Sequence, residues 1–220
     1  MAIVHQAQLK PTKLELLAPW LPDRPWFPAP AAAELERVAA YRFDDPAGEV
    51  GVETLLVRAG DGPLLHVPLT YRGAPLDGHD RWLLGTLEHS VLGRRWVYDG
   101  CGDPVYVGAL AHAILTGGEQ AEEFVDAAGQ LERREPGATV RGSGVRAGDL
   151  TPVGAVLRVD DGDPTVVVTD TLELSVVRVL PDADADADAD GDGEGGGPPV
   201  LTGTWTGRST PVRLASARTA

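Results

Sequence analysis

The chain has 220 residues, of which 43% are hydrophobic and 24% charged, with a net charge of −14 and a single cysteine, Cys101. That length can bury one sizeable core, and a lone cysteine excludes an intrachain disulfide and fits a reducing compartment. The acidic balance, with Lys10 and Lys13 as the only lysines, repels phosphate backbones and anionic bilayers and so disfavours nucleic acid and membranes as partners.

No apolar run approaches the ~18 residues of a membrane span. The opening MAIVHQAQLK lacks the basic-then-apolar layout of a signal peptide, so the expected location is cytoplasmic. Along the chain, IVHQAQL (3–9) alternates as a first strand. A short helix follows with Thr12 as its cap, Leu14, Leu17, Ala18 and Leu21 on one face, and Pro19 and Pro22 bracketing its end. APWLPDRPWFPAP (18–30) is rich in both proline and aromatics and reads as an anchored entrance segment. A strand is expected around Val38–Phe43. Residues 49–76 form a hairpin about Gly60-Asp61-Gly62, with Val50, Val52, Thr54 and Leu56 on one face and Leu65, Val67, Leu69 and Tyr71 sharing a face of the return strand. Residues 81–100 carry a further strand or pair, interrupted at Gly93.

The clearest helix runs from Asp103, its cap, through Pro104 at the first position to Gly117, with Val107, Leu110, Ala111 and Ile114 as its stripe. EQAEEFVDAAGQLERR (119–134) is expected to form a second, more polar helix. ATVRGSGV, PVGAVLRVD, PTVVVTDTLELSVVRVL and VLTGTWTG are expected strands. The resulting class is α+β with a mostly antiparallel sheet. The whole chain, 1–220, is expected to be one domain, with an acidic low-complexity loop at 181–199 holding seven of the 33 acidic residues and half of the net charge. Asp186, Asp188, Asp190 and Gly191 match the start of a calcium loop, but its twelfth position is Gly197 rather than glutamate, so a solvated polyanionic loop is expected.

Most catalytic patterns fail on the residues. GSGVRA (142–147) has the spacing of a dinucleotide fingerprint, but Gly148 to Pro152 cannot open the helix that would follow it. No lysine beyond Lys13 is available to hold a nucleotide phosphate, and no G-x-S-x-G elbow is present. The five histidines lack metal-ligand spacing, and no metal or cofactor is expected. His66, His79 and His112 are expected to face solvent, His66 lying opposite the core-facing positions of its strand. One cluster remains, LEHSVLGRRWVYDGCGDP (87–104). Its Glu88, His89, Tyr98, Asp99 and Asp103 either surround an acid–base or anion-gripping pocket or form a strand edge and helix cap with arginines paired to carboxylates. Tyr71 and Arg72 on the hairpin stand in the same position.

Three stretches in order carry a family resemblance. They are the entry Trp20-Leu21-Pro22 with Trp26-Phe27, the strand Val67-Pro68-Leu69-Thr70-Tyr71-Arg72, and Tyr98-Asp99 with Asp103-Pro104. Together, over most of residues 1–130, they resemble the N-terminal cap domain of actinobacterial maltokinases. The resemblance implies a cystatin-like curved antiparallel sheet with a helix across its concave side, either Asp103–Thr116 or the one near Thr12–Trp20. In that family the cap leads into lobes that phosphorylate maltose with ATP and feed glycogen and glucan synthesis. Here PAPAAAELER replaces the basic stretch usual after the entry, the chain ends at Ala220, and no asparagine exists to hold magnesium in a kinase catalytic loop.

The expected function is therefore a non-catalytic, free-standing cap that binds or regulates a protein partner in maltose, glycogen or trehalose metabolism, with Trp26, Phe27 and Trp82 as an exposed contact surface. The alternatives are a small-molecule binder or enzyme with a pocket around Glu88–Asp103, for which a sugar or sugar phosphate is a candidate ligand, and a carbohydrate binder stacking sugar rings on Trp26 and Trp82.

Overall fold

A computed structural model of the chain describes residues 2–4, 7–28, 33–127, 130–145, 153–181 and 197–220. Its elements, in order, are β1 (Ala2–Val4), β2 (Leu9–Lys10), α1 (Lys13–Trp20), β3 (Leu35–Phe43), β4 (Gly51–Ala59), β5 (Leu64–Arg72), β6 (Leu83–His89), β7 (Gly93–Asp99) and α2 (Pro104–Thr116). There follow β8 (Glu123–Ala127), β9 (Gln130–Arg134), β10 (Ala138–Gly142), β11 (Val156–Asp160), β12 (Thr165–Thr169), β13 (Leu172–Val176), β14 (Val179–Leu180), β15 (Val200–Trp205) and β16 (Arg208–Thr219). The class is α+β, with two helices, mostly antiparallel strands and a strongly curled, half-barrel sheet.

Local chemistry sets the helix starts. Thr12 accepts from the Glu15 N–H while the Glu15 carboxylate accepts from the Thr12 N–H, a reciprocal cap that opens α1. Pro19 lies inside α1 rather than beyond it, and a short 3₁₀ turn over Leu21–Asp23 finishes the segment. In α2 Asp103 caps the N-terminus and Pro104 takes the first position. Gly117 closes the helix in the left-handed conformation, φ 70°.

Three sheets follow. The largest runs β2-β6-β7-β5-β4-β3, with β14 added to β5. Its sequence signal lies in the nearly unbroken apolar runs ETLLV and LLHVPL, which fit a sheet covered on both faces. On β4, Val52 and Leu56 face the core built around α2, while Leu55 and Val57 face the core built on α1. The two sets of alternating residues expected on the hairpin therefore feed opposite faces: Val50, Val52 and Leu56 pack with α2, and Leu65, Val67 and Leu69 pack with α1. Each face thus carries its own helix. His66, expected in solvent, lies fully buried on the α2 side because that face is covered as well.

The second sheet, β10-β15-β16-β13-β12-β11, lies entirely after residue 137. Its inward residues, among them Val167, Leu174, Leu201 and Leu214, join Leu110 and Ile114 of α2 and Tyr41 and Leu56 of the first sheet in one cluster. Helix α2 is therefore the middle layer between two sheets. Strand β16 was not apparent from RSTPVRLASART, whose apolar positions are sparse. The third sheet, β1-β8-β9, replaces the expected helix at 119–134. EFVDA pairs with QLERR in a hairpin and with the parallel β1, and strand partners on both sides outweigh the helical propensity of its glutamates and alanines. The stretch 3–9 is not one strand either, since β1 and β2 belong to different sheets. The acidic tract's residues 182–196, with the calcium-like spacing, lie outside the described residues.

The contact between α2 and β10 is backbone against backbone. The Gly144 N–H donates to the Ile114 carbonyl at 2.8 Å, and a Cβ at Gly142 would lie 1.9 Å from the Ala113 carbonyl oxygen. Gly108, in the middle of α2, is the opposite case, because a Cβ there meets nothing within 4 Å. Urea unfolding midpoints should move in opposite directions. Gly142→Ala should lower stability by ~3 kcal/mol through forced overpacking, and Gly108→Ala should raise it by ~1 kcal/mol through helix propensity alone.

Candidate functional site

The end of β7 delivers Asp99 into the densest polar network. Asp99 accepts from the Cys101 N–H at 3.0 Å and from Arg178 Nη2, which reaches both carboxylate oxygens at 3.0 and 2.7 Å. Arg178, in the chain just before β14, donates through Nε to Thr165 Oγ1 at 2.7 Å and through its backbone N–H to Asp163 at 2.8 Å. Its guanidinium stands 4.9 Å from the centre of the Trp26 ring, and Trp26 Nε1 donates to Asp161 at 2.7 Å. Both members of the ion pair are fully buried. Burial works against the charge on Arg178, yet the adjoining carboxylate holds its proton more firmly than usual. Burial likewise pushes the Asp99 carboxyl up, and Arg178 pulls against that rise.

Asp103 has a related role. It caps α2 through Val105 N–H at 2.9 Å, takes two hydrogen bonds of 2.6 Å from Arg72, and accepts from Thr70 Oγ1 at 2.7 Å. The Tyr98 hydroxyl accepts from the Leu76 N–H at 2.8 Å. Tyr71 instead donates to Glu53, where Arg42 and Lys13 also converge, the first two at 2.8 and 2.9 Å. Burial alone would raise the Glu53 carboxyl, but attraction to Arg42 and Lys13 and the hydrogen bonds from Lys13 and Tyr71 bring it down to about 2.

The cluster 87–104 is not one pocket. Glu88 and His89 lie by the β6–β7 turn, five strand positions from Asp99, or ~17 Å along the strand. Glu88 is exposed and takes a 2.7 Å bond from Arg94 Nε, while His89 Nδ1 accepts from the Val91 and Leu92 N–H groups. The arginine–carboxylate pairing and helix cap foreseen for this stretch are present. The aromatics differ from the expected exposed surface: Trp26 and Trp82 are each only 5% exposed and Phe27 is half-buried against the α1 core. Trp82 packs so closely on Gly102 that a Cβ there would lie 2.1 Å from its ring. Asp161 supplies an indole acceptor for Trp26 that no local pattern discloses.

Sequence reasoning missed Glu53, His66 and Arg178. Their shared signal is a polar residue inside an apolar strand run, as in VETLLV, LLHVPL and SVVRVL. His66 Nδ1 donates to the Val177 carbonyl at 2.8 Å, which leaves Nε2 to accept from the Tyr41 hydroxyl at 2.8 Å. Burial, with the nearby Arg178, takes its pKa down to about 4 against the Val177 hydrogen bond, so the ring is neutral. Burial also pushes the Cys101 thiol up, away from thiolate character. Chemically these groups act as fixed donors and acceptors rather than as bases or nucleophiles. Among the described residues no group of His, Cys, Asp and Glu is arranged to hold a metal.

Open space lies elsewhere. A groove of about 710 Å³ follows α2 past Val105, Gly108 and His112 to Phe43, Asp44 and Asp45. A second cavity of about 410 Å³ brings together Tyr71 and His89, two of the candidates read from the sequence, with Lys13, Arg42 and Arg95.

Two measurements test this account. Arg178→Met strands Asp99 without its counter-charge and should cost ~3–5 kcal/mol in denaturant unfolding. Acid should destabilise in two stages. His66 is held near 4 against an ordinary 6.5, so its contribution falls as pH drops from 6.5 to about 4. Glu53, held near 2 against 4.5, then loses its contribution from 4.5 downward. Each stage is worth on the order of 3 kcal/mol, and Glu53→Gln should abolish the lower one.

Residues 20–103 match the family model for the maltokinase N-terminal cap domain, from the Trp20 end of α1 to the Asp103 cap of α2. None of the curated proteins compared matches the chain. The matched segment contains the first two stretches of the resemblance, the third as far as Asp103, and β3 to β7 of the curved sheet. Over residues 20–103, this chain is similar to the maltokinase N-terminal cap domain.

Proposed function

We propose that the chain is a non-catalytic cap module linked to maltose, glycogen or trehalose metabolism that works by binding a protein of that metabolism in the cytoplasm. The reading takes residues 1–220 as one module, with the core shared by both sheets and α2 in its support. The observation that carries it is the pairing of committed chemistry inside with an open groove outside. Asp99, Asp103, Glu53 and His66 spend their side-chain polar atoms on the scaffold, as do Nε and Nη2 of Arg178.

The groove along α2 suits a contact surface. Asp44, Asp45, Glu119 and Glu122 line it beside apolar Phe43, Val105 and Ala109, which fits a partner segment carrying basic and apolar side chains together. Gly108 supports the same reading. It weakens the helix by ~1 kcal/mol relative to alanine, and among the described residues nothing lies within 4 Å of a Cβ placed there. The vacant volume is explained if a partner backbone or side chain approaches there.

A second reading, small-molecule binding, draws support from the cavity shared by Tyr71 and His89. A tagged-protein capture from native cytoplasm, followed by titration of the identified partner, separates the two. The expected result is a stoichiometric partner from maltose or glucan metabolism, bound at least tenfold more weakly by Gly108→Trp, whose melting temperature stays at or above wild type. Absence of any such partner overturns the protein-binding reading, and a partner bound equally well by Gly108→Trp removes the α2 groove from it.

A further inference from the structure

A chain of net charge −14 gathers four of its cations around one cleft. The cleft, of about 660 Å³, lies between α1, β3 and the β8–β9 hairpin and is lined by Lys13, Arg37, Arg42 and Arg134, with Glu53 and Glu123 as its carboxylates. Both carboxylates are nearly inaccessible, at 3% and 6% exposure. Glu53 is saturated by Lys13, Arg42 and Tyr71, and Glu123 lies 3.8 Å from Arg42. Arg37 and Arg134 are different. They come from separate strands, β3 and β9, both line the cleft, are exposed, and have no ion-pair or hydrogen-bond partner for their guanidinium groups among the described residues. The cleft walls therefore hold two more cations than anions.

We infer that this cleft binds a phosphate group, either as the free ion or as the phosphate monoester of a sugar. A guanidinium presents paired N–H donors that match phosphate oxygens two at a time, and two such groups facing one space bracket a tetrahedral anion. The interior cluster of Lys13, Arg42, Glu53 and Glu123 is balanced in charge, so the positive excess of the cleft belongs to Arg37 and Arg134. Lys13 registers the resulting crowding. Burial lowers its pKa, Glu53 raises it, and the neighbouring Arg42 and Arg37 lower it again. An anion between the walls relieves that repulsion among like charges. The volume exceeds what phosphate alone needs and lies within the range of small-molecule sites, leaving space for a sugar ring near Leu9, Thr12 and Leu14. None of these residues lines the α2 groove, so the inference stands apart from the protein-binding reading.

Calorimetric titration of the full chain at constant ionic strength, with inorganic phosphate, a hexose 1-phosphate and the uncharged hexose, tests it. At least one phosphate probe should bind saturably and the uncharged hexose should not. The double variant Arg37→Gln/Arg134→Gln, which changes only exposed side chains and should melt as wild type does, should weaken that binding at least tenfold. Arg94→Gln, an exposed arginine outside the cleft, should leave it unchanged. Tighter binding of the hexose phosphate assigns the cleft to a phosphorylated sugar, and equal or weaker binding assigns it to free phosphate. No saturable binding of either phosphate probe, unchanged binding in the double variant, or an equal loss in Arg94→Gln overturns the inference.

Discussion

The ion pair between Asp99 and Arg178 constrains everything around it. Two opposite charges have been withdrawn completely from water, which is tolerable only when geometry is good and the remaining polar atoms are bonded. The structure meets that demand from both sides except at Arg178 Nη1, which has no hydrogen-bond partner among the described residues. Thr165 and Asp163 fix Arg178 from the second sheet, Cys101 N–H fixes Asp99 from the first, and the Trp26 ring covers the guanidinium. Directly after Arg178 the chain joins the first sheet as β14 on β5. The position of one sheet on the other is thereby tied to one pair of side chains, with α2 packed between.

Burial on both faces of the curved sheet follows the same logic. Once α1 covers one side and α2 with the second sheet covers the other, any polar side chain on β4 or β5 needs a partner inside the protein. Thr70 finds Asp103, His66 finds Tyr41 and Val177, and Glu53 finds three donors. The polar groups of this sheet are specific because water is unavailable to replace their partners. Both carboxylate oxygens of Glu53 and both ring nitrogens of His66 are occupied by these partners.

Much of this was legible in the sequence where the signal is local. Both caps, the hairpin at Gly60 to Gly62, the β6–β7 interruption at Gly93 and the three family stretches depend on neighbours a few residues apart. What was hidden depends on distance. Trp26 looked exposed until Asp161 came to it, 135 residues away in sequence. EQAEEFVDAAGQLERR has helical composition, and only pairing with β1 makes it strand. The polar residues between Glu88 and Asp103 left a pocket open beside the strand-edge reading, but an extended hairpin spreads neighbours along its length and sends Glu88 and Asp99 to opposite ends.

Helix α2 carries a wider consequence. The segment related to maltokinase caps stops at Asp103, one residue before α2, whereas Tyr41, Phe43 and Leu56 within that segment are buried by α2 and by strands that come still later. The matched stretch is therefore smaller than the packed core to which its residues belong. It also begins at Trp20, the last residue of α1, so both helices that cover the curved sheet lie almost wholly beyond it. Each face of that sheet is covered by chain that the match leaves out.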